Sequence, residues 1–298
     1  MSVIALPRPE AATRGWPRWL VVFAGRRIAL AGAVLMAMVV IIAALAPVIS
    51  GNPTHMDVAA RLSAPSRVHW FGTDDVGRDI WSRVMYGARL SLGVGTAVVL
   101  LSFAAGVACG LIAGYYRHLD NVVMRVMDGL MAFPAIVLAI ALMASLGPSV
   151  LNVVIAIAVV YSPRVARVVR GSVLLIRETA YLEAARALGA ADLMLIRRHV
   201  LPNCLSPVIV QGSFVFAAAV LTEAALSFLG VGVPPYVPSW GNILAEGRLY
   251  ITQAPWLVLF PGAAIMLTIL GLNLFGDGLR DLLDPKIRGL STERHRAS

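Results

Sequence analysis

Six stretches of this chain are mostly apolar over about 20 residues, at about 28–49, 89–114, 126–146, 150–170, 208–229 and 256–276. A helix of about 20 apolar residues crosses the roughly 30 Å hydrocarbon layer of a bilayer. Inside that layer backbone N–H and C=O groups find no water, so a spanning segment must satisfy them within itself, as a helix does. The expected fold is therefore an all-α polytopic membrane protein with six transmembrane helices. Composition agrees: 59% of the 298 residues are hydrophobic and 14% are charged, with mean hydropathy +0.80. Ordinary globular domains carry about 25% charged residues.

The net charge of +9 raises nucleic acid as a partner. The arginines, however, sit at the edges of apolar segments and form no basic face interleaved with aromatics, so no nucleic acid is expected. Cys109 and Cys204 are scattered and suggest neither a disulfide nor a metal framework. The first apolar stretch follows a basic segment but is longer than a signal-peptide core of 7–15 residues, and it reads as a retained anchor. With the N-terminus inside, the inner segments 1–27, 115–125, 164–204 and 278–298 hold 19 basic residues and the outer ones hold 6. The positive-inside bias then places both termini in the cytoplasm.

Two local patterns stand out within this frame. Gly106, Gly110 and Gly114 recur every four residues and place a glycine stripe on one face of the second span, where a neighbouring backbone can come close. Ala132-Phe133-Pro134 predicts a kink in the third span. The largest cytoplasmic loop contains "YLEAARALGAADLMLIRRHVLP", from Tyr181 to Pro202. A helix from Thr179 to Leu188, stopped by Gly189, would align Tyr181, Ala184, Ala185 and Leu188 in one stripe. A second short helix near Asp192 would align Leu193, Ile196 and Val200, with Pro202 after its end. Small residues around Glu183 suit close docking into a partner's groove. The alternative is a cap packed on its own bundle, with Glu183 paired to Arg186.

The stretch "EAARALGAADLMLIRRHVLP" resembles the EAA motif of the membrane subunits of ABC importers, matching it at Glu183, Ala184, Ala185, Gly189, Leu201 and Pro202. His199, where the broad pattern has isoleucine, resembles the peptide-transporter branch. The resemblance implies that the first short helix is a coupling helix docking on a cytoplasmic ATPase. The chain itself has no Gly-x-x-x-x-Gly-Lys-Ser/Thr loop, and Lys286 is its only lysine. ATP and magnesium are therefore expected on partner subunits, and this chain is expected to bind no cofactor and to have no catalytic residues.

Before the second span, "HWFGTDDVGRDIWSRVMYGARLSL" (His69 to Leu92) is turn-rich, with Asp79 suited to cap a short helix. Asp74, Asp75 and Asp79 suggest calcium, but the EF-hand glycine and glutamate spacing is absent, and no metal is expected. This stretch resembles the signature of dipeptide/oligopeptide/nickel importer permeases. "EAALSFLGVGVPPYVPSWGNILAEGR", Glu223 to Arg248, also resembles that family; its prolines predict a structured outer loop without regular helix, with Trp240 at the membrane interface. By its position this loop is expected to contact the binding protein, or else to be a plug on its own bundle. Glu223, inside the fifth span, is a candidate for the pathway or for contact with a partner permease, as is Trp240; the alternative for Glu223 is a hydrogen bond within the bundle. Asp128 is expected to snorkel to the cytoplasmic face.

These readings imply a permease subunit of a binding-protein-dependent, ATP-driven importer for di- or oligopeptides in the bacterial inner membrane. The expected layout is an N-terminal tail (1–27), a first span with an external segment (28–88), a permease core (89–277) with its loop at about 171–204, and a C-terminal tail (278–298). The expected partners are a second homologous permease, two cytoplasmic ABC ATPases, an extracytoplasmic binding protein and the lipid bilayer. An ion-coupled transporter or a membrane enzyme are the competing classes. The five histidines (55, 69, 118, 199 and 295) form no catalytic or metal spacing.

Overall fold

The structure, a computed structural model, describes residues 27–283; the N-terminal tail and most of the C-terminal tail lie outside the described residues. The helices are α1 (Arg27–Ile49), α2 (Ile80–Tyr115), α3 (Arg117–Met131), α4 (Ala135–Leu146) and α5 (Val150–Arg177). They continue as α6 (Ala180–Ala187), α7 (Asp192–Leu195), α8 (Leu201–Phe228), α9 (Trp240–Gly247) and α10 (Trp256–Leu283). Apart from one bridge between Thr73 and Asp79, every regular element among the described residues is helical.

Five helices are long and apolar enough to cross a membrane, and the count rises to six if the bent pair α3–α4 is taken as one broken span. The kink expected at Pro134 is larger than a kink: α3 and α4 meet at 91° across residues 132–134. Proline removes a helical N–H and pushes the residue before it out of the α region, so the helix stops at Met131 and restarts after Pro134. The acids of α3 lean on α5: Arg170 forks onto Asp120 with two bonds of 2.6 Å, and Arg167 reaches Asp128 at 2.7 Å. Asp128 is 59% exposed.

The second span begins earlier than its apolar stretch suggests. Asp79 caps α2 by accepting from the Ser82 N–H at 2.8 Å, and the short helix expected there runs on unbroken through Tyr115. Buried Ile80, Val84, Met85 and Ala88 hold this first part against the bundle. Further along, the glycine stripe lies against α5. A methyl group on Gly106, Gly110 or Gly114 would stand 2.6 Å from Cβ of Val165, Val169 or Val173. Gly110→Val is therefore expected to force the two helices apart and to cost about 1–3 kcal/mol, read as a lower thermal unfolding midpoint in detergent. An unchanged midpoint would remove the close approach as a source of stability.

Candidate functional site

At the end of the bundle where α5 stops, the chain turns through Thr179 into α6, then reverses at Gly189. The φ of +83° at Gly189 is a conformation that side chains with Cβ rarely adopt. Its N–H donates to the Arg186 carbonyl at 2.9 Å, and the Ala190 N–H to Ala185 at 3.1 Å, closing the helix end. The loop is braced on the bundle in three ways. Leu182, Leu195 and Val200 are buried in the core cluster. Tyr115 at the end of α2 donates its hydroxyl to Asp192 at 2.6 Å. The Arg186 guanidinium lies over the Tyr115 ring, 5.0 Å from its centre, so Arg186 is engaged there and not with Glu183, the pair that belonged to the alternative cap reading.

The outward surface of this loop carries the matched motif. Glu183, Ala184 and Gly189 are exposed, and Ala185 is half-buried against the core. Of the predicted stripe, Tyr181, Ala184 and Leu188 face outward, with Leu188 89% exposed, while the inward anchor is Leu182. Leu193 and Met194 are also exposed and, with Ala191, Arg197 and Arg198, line an open hollow of about 550 Å³. The second short helix is not separate. A π-turn over Ile196–Val200 carries α7 straight into α8, and Pro202 sits in the first turn of α8 instead of closing a helix. Pro202 has no N–H to donate within this continuous helix, and the π-turn lies just before it, where the regular bonding pattern changes. Leu201 is half-buried and Pro202 exposed, on the rising helix and apart from the tip.

The opposite end of the bundle is locked by a charge network that sequence reasoning missed. Asp74, 0% exposed, accepts from Arg78 Nε and Arg83 Nη1 at 2.6 Å each, and from the Val76 and Arg78 N–H groups. Glu246 on α9 accepts from Arg78 Nη2 at 2.9 Å and from both Nη atoms of Arg83, Nη2 at 3.0 Å. Two guanidinium groups thus join the 62–79 loop, α2 and α9. Carboxylate oxygens of Asp74, Asp75 and Glu246 lie within 4.8 Å of one another, but guanidinium groups already supply the positive charge beside two of them. Asp79 caps α2 and takes His69 Nδ1 at 3.1 Å. The only advance signal for the network was the run Asp74–Arg83 itself; nothing in the sequence pointed to Glu246, 163 positions from Arg83.

Both candidates for the pathway or subunit contact turn inward. Glu223 is 0% exposed and accepts from Ser91 Oγ at 3.2 Å and Ser227 Oγ at 3.0 Å, the internal hydrogen bonding weighed as its alternative. Trp240 is 1% exposed, not at an interface: its Nε1–H donates to the Val84 carbonyl at 3.0 Å, and its ring fills the space left by Gly87. The proline-rich loop after α8 contains the helix α9, contrary to the expectation of no regular helix there. Ser239 caps it at Asn242 N, and Asn242 Nδ2 ties down the carbonyls of Pro234 and Val237 at 3.0 Å each.

A bundle of spanning helices that presents a braced, exposed loop at one end and a locked loop at the other has the form of a transport permease. The family model described as "Binding-protein-dependent transport system inner membrane component" matches residues 106–289, and the chain belongs to that family of membrane permeases. A Brucella suis permease named for peptide transport is 53% identical over 86% of this chain and 87% of its own. The dipeptide transport system permease protein of Alkalihalophilus pseudofirmus is 45% identical over 95% of this chain and 94% of its own. The glutathione transport system permease protein of Pectobacterium atrosepticum is 38% identical over 97% of each chain. Among solved structures, an inward-facing MetNI methionine ABC transporter aligns with TM-score 0.58 and 18% identity, over 69% of this chain and 98% of that one. That likeness establishes the ABC-importer permease fold.

Proposed function

We propose that this chain carries di- or oligopeptides across the bacterial inner membrane as half of a translocation pathway, the other half being a homologous permease. In this reading both termini and α6 face the cytoplasm, and Glu183, Ala184, Ala185 and Gly189 dock on one of two ABC ATPases. Leu201 and Pro202 set the angle at which α8 leaves the docking loop. ATP and magnesium bind those ATPases, and an extracytoplasmic binding protein delivers the solute to the end closed by α9.

The observation that carries the reading is the tip of the α6 loop. Its backbone is braced by Leu182, Leu195 and Tyr115, yet it holds Leu188 at 89% exposure beside an exposed Glu183. A rigid apolar projection with a charge at its centre fits a preformed cleft on another protein. The peptide class is supported by the relatives named for peptide and dipeptide transport.

The test is co-purification of the tagged chain from its native membrane in mild detergent, with the captured proteins identified by mass spectrometry. A second permease and ATPases are expected, and the reconstituted assembly should import a dipeptide only with ATP. Recovery of the chain alone from a membrane containing those ATPases, or import driven by an ion gradient, would sink the importer reading.

A further inference from the structure

Two helices run directly into the docking loop, α5 and α8, and a third, α2, meets its side chains. The three differ in stiffness. α5 holds Pro163, and α8 holds Pro207 with the π-turn at its base. Each such break removes or shifts a backbone hydrogen bond, and helices bend there. α2 has 36 residues and no proline, so it is one unbroken rod of about 54 Å at the helical rise of 1.5 Å per residue. Among its glycines only Gly93 has no neighbour within 4 Å; Trp240, Phe216 and α5 brace the others from the side. The part of α5 between Pro163 and the loop rides on this glycine stripe.

Each end of the rod is fastened to a different element. At its C-terminal end the Tyr115 hydroxyl donates to Asp192 at 2.6 Å, and Arg186 lies over the same ring. One residue of α2 thus holds both short helices of the loop, α6 and α7. At the other end, Ile80 to Ser91 hold α9. Arg83 bonds Glu246, the Val84 carbonyl accepts from Trp240 Nε1 at 3.0 Å, and the indole sits against Gly87. Ser91 donates to Glu223, whose carboxylate also accepts from Ser227 Oγ. That hydroxyl in turn accepts the Val233 N–H at 3.2 Å, in the segment leading to α9. Arg83, Glu223 and Trp240 are all buried, so these ties lie inside the fold, whatever surrounds the chain.

We infer that α2 is the strut that carries movement of the docking loop to α9, and that Tyr115 is the residue positioning the strut on the loop. This rests on the reading above, with α6 as the ATPase contact and α9 as the outer closure. A pull on α6 or α7 passes through the Tyr115 hydroxyl into a rod without a hinge, while α5 and α8 bend at their prolines. The closure therefore shifts together with α2 and does not open as a separate flap.

The test uses the complete transporter from its native membrane, reconstituted in proteoliposomes, and reads alanyl-alanine imported per ATP hydrolysed. Tyr115→Phe keeps the ring under Arg186 and removes only the hydroxyl. It is expected to retain the ATPases and to lower the ratio about tenfold, the weight of one hydrogen bond to a carboxylate. Asp192→Ala should do the same, and the double variant no more than either. Asp192→Asn, which still accepts the bond, should keep most of the ratio. A merely structural brace would lower import and hydrolysis together; that result, or loss of the ATPases from Tyr115→Phe, would overturn the inference.

A second measurement needs no solute. With Cys109 and Cys204 replaced by serine, spin labels on Arg89→Cys and Leu249→Cys, both at exposed positions, report the distance from α2 to the end of α9. It is expected to be the same with and without ATP. The distance from Leu249→Cys to Leu146→Cys on α4, which packs on α5 and α8, is expected to change. A change in the first distance, or none in the second, would overturn the strut. Absence of ATPases from the wild-type assembly sinks the importer reading and this inference with it. An unmoved ratio in an assembly that keeps its ATPases sinks the inference alone.

Discussion

Replacing Arg83 by leucine is expected to destabilise the protein by about 3 kcal/mol, the lower end of the cost of removing one partner from a buried ion pair. Arg83 is 1% exposed and bonds Asp74 and Glu246 together. Without it, Asp74 stays buried at 0% exposure and shares the single guanidinium of Arg78 with Glu246. The Glu246 side chain, 25% exposed, recovers some hydration, which keeps the loss from the upper end of the range. The double variant Arg83→Leu/Glu246→Leu should regain much of the stability, because one cation then faces one anion. Thermal unfolding of the purified protein in detergent measures both. Single effects that simply add, or a midpoint unmoved by Arg83→Leu, would show that the network does not hold the loops at that end of the bundle. The wild-type midpoint should also change little between 0.05 and 0.5 M salt (order-of-magnitude settings), since buried charges are weakly screened.

The second large effect concerns the opposite end. Glu183→Arg should leave folding intact, because the side chain is exposed, and should remove ATPase capture and import together. Charge reversal at the centre of a docking surface costs about 2 kcal/mol or more, roughly thirtyfold in affinity. Leu188→Asp, at an 89% exposed position, is expected to act in the same way. Leu182→Asp puts a charge at a 0% exposed site and should instead lower the unfolding midpoint. Full import by Glu183→Arg would rule out α6 as the link to the motor. Capture lost with Leu182→Asp alone would mean that loop integrity matters and its outer surface does not.

Much of this architecture is legible in the chain because it rests on local causes. Hydrocarbon forces each long apolar stretch to become helix, and five of the six expected spans are single unbroken helices. Asp79, Gly189 and the glycine stripe each act within a few residues or along one helix face, and they appear where their chemistry predicts. The misses have equally physical reasons. Trp240 looks like an interfacial aromatic until α2 presents Gly87, whose missing side chain makes room for the indole. At Glu223 the sequence does not show the partner: Ser91, 132 positions away, meets its carboxylate. Pro202 looks like a stop until the π-turn before it is seen to lead directly into α8.

Hydrophobic length, helix caps and turn residues are short-range constraints, and they determined that this chain is a helical membrane bundle with a polar loop between its fourth and fifth apolar stretches. The EAA pattern in that loop also identified the family before any coordinates. Tertiary structure alone decided which charges are paired. Arg83 and Glu246 meet across 163 positions, and Arg167 takes Asp128. A side chain's electrostatic partner depends on which helices pack together, and that depends on the whole bundle.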